Sequence, residues 1–304
     1  MKPITSKRRG CGYWFRLLSV GLVGGLMLAC LGYEEIYLIW ATRPAPTSIC
    51  CTTPADFSLA HEQVTLTSGD GVTLSGWYIP SRNKAAVIQL HGYGANRTEM
   101  LGRAGALARH GYGVLLYDLR AHGESGGAWR TYGWLDVKDV DAALVFLRNR
   151  ADLDPERIGI LGFSIGGQIA LRAAAQSDRL KAVVGDDPGF VKIEDAPPPI
   201  SPSEWPLYLV TWVDTKGIEL HTGVSAPPGV VEVIGDIAPR PLFLIDTGQG
   251  MGRRLIRHFY DRARMPKTLW EIPEASHGGQ FAARPEEYEQ RVVAFFGQAL
   301  MNDE

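Results

Sequence analysis

The chain of 304 residues has few cysteines and no excess of charge of either sign. Its four cysteines are Cys11, Cys30, Cys50 and Cys51, and the sequence after Cys51 contains none. A disulfide framework, a C-x-x-C motif and a cysteine-based metal site are therefore excluded from that part of the chain. The 31 Lys and Arg residues nearly balance the 33 Asp and Glu residues, so no nucleic-acid partner is indicated. There is also no internal repeat and no long low-complexity tract.

The longest apolar stretch lies near the beginning of the sequence. Residues 1–16 carry five basic side chains, and the 17 residues that follow carry no charge. Glu34 and Glu35 interrupt the apolar run, which resumes up to residue 41. We predict a basic cytoplasmic segment over 1–16, a single transmembrane helix over 17–41 and an extracytoplasmic location for the rest of the chain. A cleaved signal peptide is the alternative, because it has the same order of basic and apolar regions.

The remainder of the sequence predicts one α/β domain. Residues 42–61 are rich in Pro, Thr and Ser and are predicted as a linker. An antiparallel hairpin over 63–79 opens the domain of residues 62–304, after which apolar strands alternate with helical patterns. This alternation predicts a mostly parallel sheet with helices on both faces. Further strands are predicted over 85–90, 113–118, 181–185, 241–246 and 268–273, and from residue 158, with helices over 96–110, 134–150, 253–263 and 285–300. Residues 186–240 lack a strand pattern and are predicted as an insert, with a helix over 204–221.

The most informative motif is Gly162-Phe-Ser164-Ile-Gly166, which lies between a predicted strand and a predicted helix. Its G-x-S-x-G spacing is that of a nucleophile elbow, in which a serine projects from a very tight turn. The two glycines allow the unusual dihedral angles and the close backbone approach of such a turn. Ser164 is therefore the predicted nucleophile, at the positive end of the following helix.

A serine nucleophile needs a base, which is usually a histidine. His277 lies after the last predicted strand and before the last helix, which makes it the strongest of the seven candidates. His91 and His122 lie in loops at strand ends, where we expect them to brace the loops. The others are interpreted as surface residues or as a helix end: His61, His110, His221 and His258.

Stabilising an oxyanion requires two hydrogen-bond donors. The backbone N–H of Ile165, at the start of the helix after Ser164, is the first candidate. The backbone N–H of Tyr93 is the second, because it lies in the glycine-rich turn His91-Gly-Tyr-Gly94 after a predicted strand.

Four segments together resemble a known family. They are His91-Gly, Asp118-Leu-Arg-Ala-His-Gly-Glu-Ser125, Gly162-Phe-Ser-Ile-Gly-Gly167 and Pro273-Glu-Ala-Ser-His277-Gly. Over about residues 62–300 the sequence resembles the α/β-hydrolase fold, and it is most similar to bacterial membrane-anchored esterases, lipases and serine-peptidase-like hydrolases. The resemblance implies a serine hydrolase with Ser164 as nucleophile and His277 as base, and it places a lid at the insert.

The third member of the expected triad departs from the family pattern. The family usually ends the strand before the last with His-Gly-x-x-Asp, whereas this chain has Asp246-Thr-Gly-Gln-Gly250. Asp246 thus falls at the position of the family's histidine, and Gly250 falls at the position of its acid. We predict that Asp246 is the acid. Two alternatives stay open: Asp186 or Asp187 after the preceding strand serves instead, or the acid is absent.

The predicted function is hydrolysis of small-molecule carboxylic esters through an acyl-enzyme, without a metal or an organic cofactor. A serine peptidase of the same fold is the first alternative, since it shares the mechanism. A catalytically weak hydrolase-like binding protein is the second, because Gly250 replaces the expected acid. The oligomeric state is left open by the sequence.

Overall fold

The computed structural model describes residues 11–248 and 250–301, and these divide between Ala41 and Thr42 into two compact units. The first unit contains helix α1 (Cys11–Ala41). The predicted apolar N-terminal helix is thus confirmed, although it begins before residue 17. Its segment Leu18–Ala41 is long and apolar enough for a membrane span or a signal sequence. Most of the predicted basic segment, residues 1–10, lies outside the described residues.

In the described part of the second unit, eight strands form the main sheet and two more form a short pair. The strands are β1 (Ala45–Pro46), β2 (Glu62–Thr67), β3 (Thr73–Ile79), β4 (Ala86–Leu90), β5 (Gly113–Tyr117), β6 (His122–Gly123), β7 (Ile158–Phe163), β8 (Ala182–Asp186), β9 (Leu242–Asp246) and β10 (Lys267–Glu271). The main sheet has the order β10-β9-β8-β7-β4-β5-β3-β2. The six strands from β10 to β5 are parallel, and β3 and β2 continue the sheet as antiparallel strands. The predicted hairpin and the predicted parallel sheet are both confirmed.

Helices cover this sheet on both faces, as predicted. The helices of the second unit are α2 (Leu101–Arg109), α3 (Val137–Arg148), α4 (Ile165–Gln176), α5 (Trp205–Thr222), α6 (Val230–Val233), α7 (Gly250–Arg262), α8 (Gln280–Ala283) and α9 (Pro285–Leu300), of which α5 belongs to the insert. On one face, apolar side chains of α2 and α9 share a core with sheet residues such as Val184. Next to Val184 along β8, Gly185 faces the other way, and a Cβ built on it would contact Leu171 of α4 at 3.5 Å. Successive residues of the buried strands therefore face opposite sides of the sheet and pack into two apolar layers.

Residues 42–61, predicted as a linker, contain ordered contacts with the domain. β1 pairs in parallel with β6, which follows β5 in the chain. Arg130 N donates to Thr42 O at 2.8 Å, and Arg130 Nε donates to Arg43 O at 2.6 Å. This segment is therefore attached to the loop region at the carboxyl ends of the parallel strands.

The insert over residues 186–240 is helical and irregular, as predicted. α5 coincides closely with the helix predicted over 204–221. Asp195 is fully buried and fixes the insert, because its carboxylate accepts hydrogen bonds from Val191 N at 2.8 Å and Val231 N at 2.9 Å. The insert follows the carboxyl end of β8, which places it at the edge of the sheet where ligands bind in open α/β folds.

Candidate active site

Ser164 is the single residue between a strand and a helix. β7 ends at Phe163, and α4 begins at Ile165. The backbone of Ser164 has a φ of 52° and a ψ of −117°, a conformation that residues other than glycine rarely adopt. Ser164 N donates to Asp186 O at 3.0 Å, and Gly167 N donates to Ser164 O at 3.0 Å. The neighbouring strand and the first turn of α4 thus hold the serine in this conformation.

The flanking glycines are required by close backbone contacts. A Cβ on Gly162 would lie 2.0 Å from Gly166 O, and a Cβ on Gly166 would lie 2.4 Å from Leu90 O. Neither glycine has a positive φ. The sequence prediction that both glycines permit close approach is therefore confirmed, whereas the unusual dihedral angles belong to Ser164 itself.

Ser164, His277 and Asp187 form a continuous chain of hydrogen bonds. His277 Nε2 lies 2.9 Å from Ser164 Oγ, and His277 Nδ1 lies 2.7 Å from Asp187 Oδ2. A carboxylate accepts hydrogen bonds only, so its position beside Nδ1 favours the tautomer with the proton on Nδ1. Nε2 is then left as an acceptor for the serine hydroxyl proton. This arrangement has the geometry that activates a serine as a nucleophile.

The prediction that Asp246 is the acid is corrected by this geometry, because the carboxylate on His277 belongs to Asp187. The order of strands explains the difference. β8 is the immediate neighbour of β7, so the residue that follows β8 lies beside Ser164, whereas Asp246 ends β9, one strand further away. Asp187 N also donates to Ile245 O at 2.8 Å, which fixes the backbone of this residue. Asp246 is fully buried, and burial raises its pKa.

The other alternative, Asp186, is used on the opposite side of the turn. Its Oδ2 accepts from Arg103 Nε at 2.8 Å and from the Tyr288 hydroxyl at 2.8 Å. All three side chains are buried. Of the two consecutive aspartates, one therefore joins a buried polar cluster between α2 and α9, and the other faces His277.

The surroundings of His277 raise its pKa. Its hydrogen bond to Asp187 raises the pKa of the imidazole, and partial burial opposes this shift. The ring also lies 5.0 Å from the ring of Phe163, measured between centroids. The protonated form of this imidazole is thus stabilised by the adjacent carboxylate.

Both predicted oxyanion donors belong to segments that meet at Ser164. Ile165 is the first residue of α4, where backbone N–H groups point out of the helix. The turn that contains Tyr93 packs against the same helix start, since a Cβ on Gly166 would lie 2.7 Å from His91 O. Gly92 N donates to Glu99 Oε2 at 2.7 Å, which anchors the turn. The structure therefore brings the Tyr93 turn and Ile165 together beside the serine.

His91 and His122 brace loops near this turn. His91 Nδ1 lies 2.7 Å from Gly92 O, and His91 Nε2 accepts from Leu119 N at 2.9 Å. His122 Nδ1 lies 2.9 Å from Arg120 O. Burial lowers the pKa of His91 to about 3 and that of His122 to about 4, so both rings are neutral near pH 7. Their contacts agree with the bracing role expected from the sequence.

Comparisons with known proteins identify the family. The model of the alpha/beta hydrolase fold matches residues 85–215. The uncharacterized protein YfhR of Salmonella typhi is 35% identical to this chain over 271 residues, which cover 82% of this chain and 84% of YfhR. The chain belongs to the α/β-hydrolase fold superfamily.

Relatives of this hydrolase extend from bacteria to plants and archaea. The alpha/beta hydrolase domain-containing protein WAV2 of Arabidopsis thaliana is 26% identical over 292 residues, which cover 90% of this chain and 91% of WAV2. Among solved structures, the Pyrococcus furiosus esterase Pf2001 superimposes with a TM-score of 0.70 and 29% sequence identity. That match covers 86% of the hydrolase and 98% of Pf2001. The resemblance to the α/β-hydrolase fold inferred from four motifs is thus confirmed.

A cavity of about 280 Å³ opens beside the catalytic candidates of the hydrolase. Ser164 and His277 line it, and the rest of its wall comes mainly from the insert and α7. Most of these residues are apolar or aromatic, and they include Pro188, Phe190, Pro197, Tyr208 and Leu255. A cavity of this composition favours an apolar substrate group.

Glu204, in the cavity wall of the hydrolase, forms an ion pair with Arg254. Glu204, at the start of α5, accepts two hydrogen bonds from Arg254 Nη1, at 2.9 and 2.8 Å. Arg254 Nη2 also donates to Pro198 O at 2.6 Å. This ion pair joins the insert to α7 at the edge of the cavity.

Gln280 was not predicted to belong to the site, because it lies in none of the four motifs. Its side-chain amide donates to Asp187 Oδ2 at 2.9 Å, and the residue is fully buried. The available signal was its spacing of three residues from His277, which is compatible with one turn of chain presenting both side chains. A single glutamine at such a spacing is too common to indicate a site.

Proposed function

We propose that this hydrolase cleaves carboxylic esters through a covalent acyl-enzyme. Ser164 Oγ attacks the acyl carbonyl carbon while His277 Nε2 accepts the hydroxyl proton, and the same nitrogen then protonates the departing alcohol. In the second half, His277 takes a proton from water, which attacks the acyl carbon; the bond from that carbon to Ser164 Oγ then breaks, His277 Nε2 returns the proton to Oγ, and the acid leaves. The observation that carries this proposal is the chain from Ser164 to Asp187, with contacts of 2.9 and 2.7 Å, beside an apolar cavity.

We assign the oxyanion to the backbone N–H groups of Ile165 and Tyr93. Negative charge develops on the carbonyl oxygen during each attack, and donors fixed in advance stabilise it without reorganisation. The start of α4 contributes a partial positive charge at the same place. Removal of one such donor typically lowers kcat by about 10²- to 10³-fold.

Labelling with a fluorophosphonate tests the proposed nucleophile. The parent protein is expected to react covalently, and the Ser164→Ala variant is expected not to react. Ser177→Ala, at the far end of α4, is a matched control that should label like the parent. Folded parent protein that does not label, or labels equally after Ser164→Ala, contradicts the proposal.

A peptidase of the same fold is the second candidate, and the pairing of Glu204 argues against one form of it. An aminopeptidase needs a carboxylate to bind the substrate ammonium, whereas Glu204 is already engaged by Arg254. We therefore favour esters. Parallel assays with p-nitrophenyl esters and aminoacyl arylamides distinguish the two, since faster turnover of the arylamides reverses this preference.

The observation that suggested a catalytically weak binding protein now has a different explanation. The hypothesis was based on the missing acid at residue 250, and the contact of Asp187 with His277 supports an acid from another strand. Negligible turnover across a broad panel of esters by folded parent protein favours that hypothesis instead.

We propose further that α1 stays attached and anchors the hydrolase in a membrane, with the catalytic domain outside the cytoplasm. The support is the length and composition of Leu18–Ala41 and the basic residues that precede it in the sequence. Intact mass and carbonate extraction of the native protein test the anchor, and protease accessibility in spheroplasts tests the orientation. A mature protein that lacks residues 1–41 indicates a cleaved signal sequence.

A further inference from the structure

Two donors share one oxygen of Asp187. His277 Nδ1 lies 2.7 Å from Asp187 Oδ2, and Gln280 Nε2 donates to the same atom at 2.9 Å. Gln280 is the first residue of α8 and is fully buried, whereas the side chain of His277 is more than half exposed. The carboxylate of Asp187 is therefore contacted by the buried amide of Gln280 and by the solvent-facing imidazole of His277.

Both donors come from one tight segment of chain. Gly279 N donates to Ser276 O at 2.8 Å, and Ala283 N donates to Gly279 O at 2.8 Å. These bonds fix the backbone between His277 and Gln280. Because the backbone of Asp187 is also bonded to β9, the carboxylate lies between a fixed main chain and two fixed donors.

The orientation of the Gln280 amide follows from its partner. If the amide were turned over, its oxygen would face a carboxylate oxygen, and both atoms are acceptors. In the observed orientation, Gln280 Oε1 is buried and has no hydrogen-bond partner among the described residues. A leucine of similar size would avoid that unsatisfied oxygen, but it would not supply the contact to Asp187.

We infer that Gln280 is a positioning residue, which holds the carboxylate of Asp187 in the direction that orients His277 toward Ser164. This inference rests on the proposed serine-hydrolase function. A neutral amide suits the task, because it fixes the acid without cancelling the negative charge that stabilises the imidazolium. A lysine or arginine at this place would add a positive charge beside that imidazolium.

The test compares Gln280→Leu and Gln280→Glu with the parent protein over a range of pH, using a soluble p-nitrophenyl ester. Gln280→Leu removes the donor, and we expect kcat to fall about 10- to 100-fold, by analogy with the loss of hydrogen-bond partners that orient metal ligands. Gln280→Glu keeps the shape and donates only while its carboxyl is protonated. We expect its activity relative to the parent at the same pH to be retained at low pH and to be lost as the introduced carboxyl ionises beside Asp187, so that the ratio of the two profiles falls with rising pH.

Gln168→Leu is the matched control. Gln168 is also fully buried, but its amide nitrogen donates to Tyr132 O at 2.8 Å and its amide oxygen accepts from Arg172 Nη1 at 3.1 Å. We expect it to lower the melting temperature without changing the shape of the pH profile. If Gln280→Leu does not fold, the pH profile of Gln280→Glu decides the question.

Two results overturn the inference: folded Gln280→Leu with the kcat of the parent, or Gln280→Glu that is impaired equally at every pH. If the parent itself shows no Ser164-dependent turnover, the proposed function fails and proton NMR judges Gln280 separately. The Nδ1 proton of His277 is then expected to change its chemical shift in Gln280→Leu and not in Gln168→Leu. An unchanged shift in Gln280→Leu overturns the inference.

Discussion

His277 Nδ1 and Asp187 Oδ2 lie 2.7 Å apart, although 90 residues separate them in the chain. The contact joins the segment that follows β10 to the residue that follows β8. Since β9 lies between these strands in the sheet, His277 reaches across one strand to contact Asp187 and Ser164. The relative positions of these two residues therefore depend on assembly of this half of the sheet.

Replacement of the acid tests this relationship directly. Asp187→Asn removes the negative charge and no longer favours the tautomer with the proton on Nδ1. We expect kcat for a p-nitrophenyl ester to fall by about 10⁴-fold, as in the corresponding substitution of a well-studied serine protease.

Asp246→Asn is the matched control for that experiment, because Asp246 ends the adjacent strand and is also buried. We expect it to change kcat far less than Asp187→Asn does. A greater loss of kcat in Asp246→Asn than in Asp187→Asn contradicts the assignment of Asp187.

The pH dependence of activity follows from the raised pKa of His277. In the proposed mechanism the neutral form of His277 is the base, so kcat/KM is expected to fall as the pH decreases through that pKa, which lies above the ordinary value for histidine. Asp187 is the main cause of the shift, so the acid limb of Asp187→Asn should move to lower pH. Steady-state profiles of kcat/KM against pH locate the acid limb in the parent and in Asp187→Asn. If the two limbs have the same midpoint, Asp187 does not raise the pKa of His277.

The close approach of Gly166 to the neighbouring strand predicts a large effect on stability. In Gly166→Ala the new Cβ would meet Leu90 O, a backbone atom that has no freedom to move away. We expect the free energy of unfolding to decrease by about 3 kcal/mol, at the upper end of overpacking effects. Denaturant titration provides the measurement.

Gly105→Ala in α2 is the control for this substitution. Its nearest contact outside the helix backbone is the flexible end of Arg109, at 3.4 Å. Alanine there should raise the free energy of unfolding by about 0.5–1 kcal/mol, because glycine destabilises helix interiors. Equal losses at residues 105 and 166 would mean that the contact with Leu90 is not the cause.

Residues on the inner and outer sides of α5 should affect substrate choice differently. Tyr208 lines the cavity, whereas Leu209 is 57% exposed. Tyr208→Trp adds volume to the cavity wall, and we expect it to lower kcat/KM for long acyl chains more than for acetate. Leu209→Trp should leave the ratio of the two unchanged. A series of p-nitrophenyl esters measures these ratios, and identical chain-length profiles in the two variants would show that the acyl group binds elsewhere.

Most of the fold was predictable because its signals are local. The helix over 285–300 has the predicted bounds, and the strand over 241–246 differs by one residue from the observed one. Continuous apolar runs mark buried parallel strands, and glycines mark the turns between them. α7 begins three residues earlier than predicted. Its first residues were missed because Gly250 and Gly252 contribute no apolar helical pattern.

The catalytic candidates that have a local sequence signal were predicted, and those that depend on the arrangement of the strands were not. Ser164 and His277 lie in motifs that can be recognised locally, and the structure brings the two together. Asp187 was left as an alternative, because the proximity of an acid to His277 depends on which strands are adjacent, and one sequence does not reveal that order. Gln280 was missed, since a buried amide has no pattern that distinguishes it from a surface glutamine.

The left-handed backbone of Ser164 makes the reactivity proposed for this serine dependent on correct assembly of the domain. The hydrogen bond from its nitrogen requires β8 to be in place, and the one to its oxygen requires the first turn of α4. A newly synthesised or denatured chain has neither restraint and does not hold Ser164 beside His277, so its serine has the weak nucleophilicity of an ordinary alcohol. A covalent inhibitor would therefore count only mature molecules in a mixed population, and it would follow their maturation in real time.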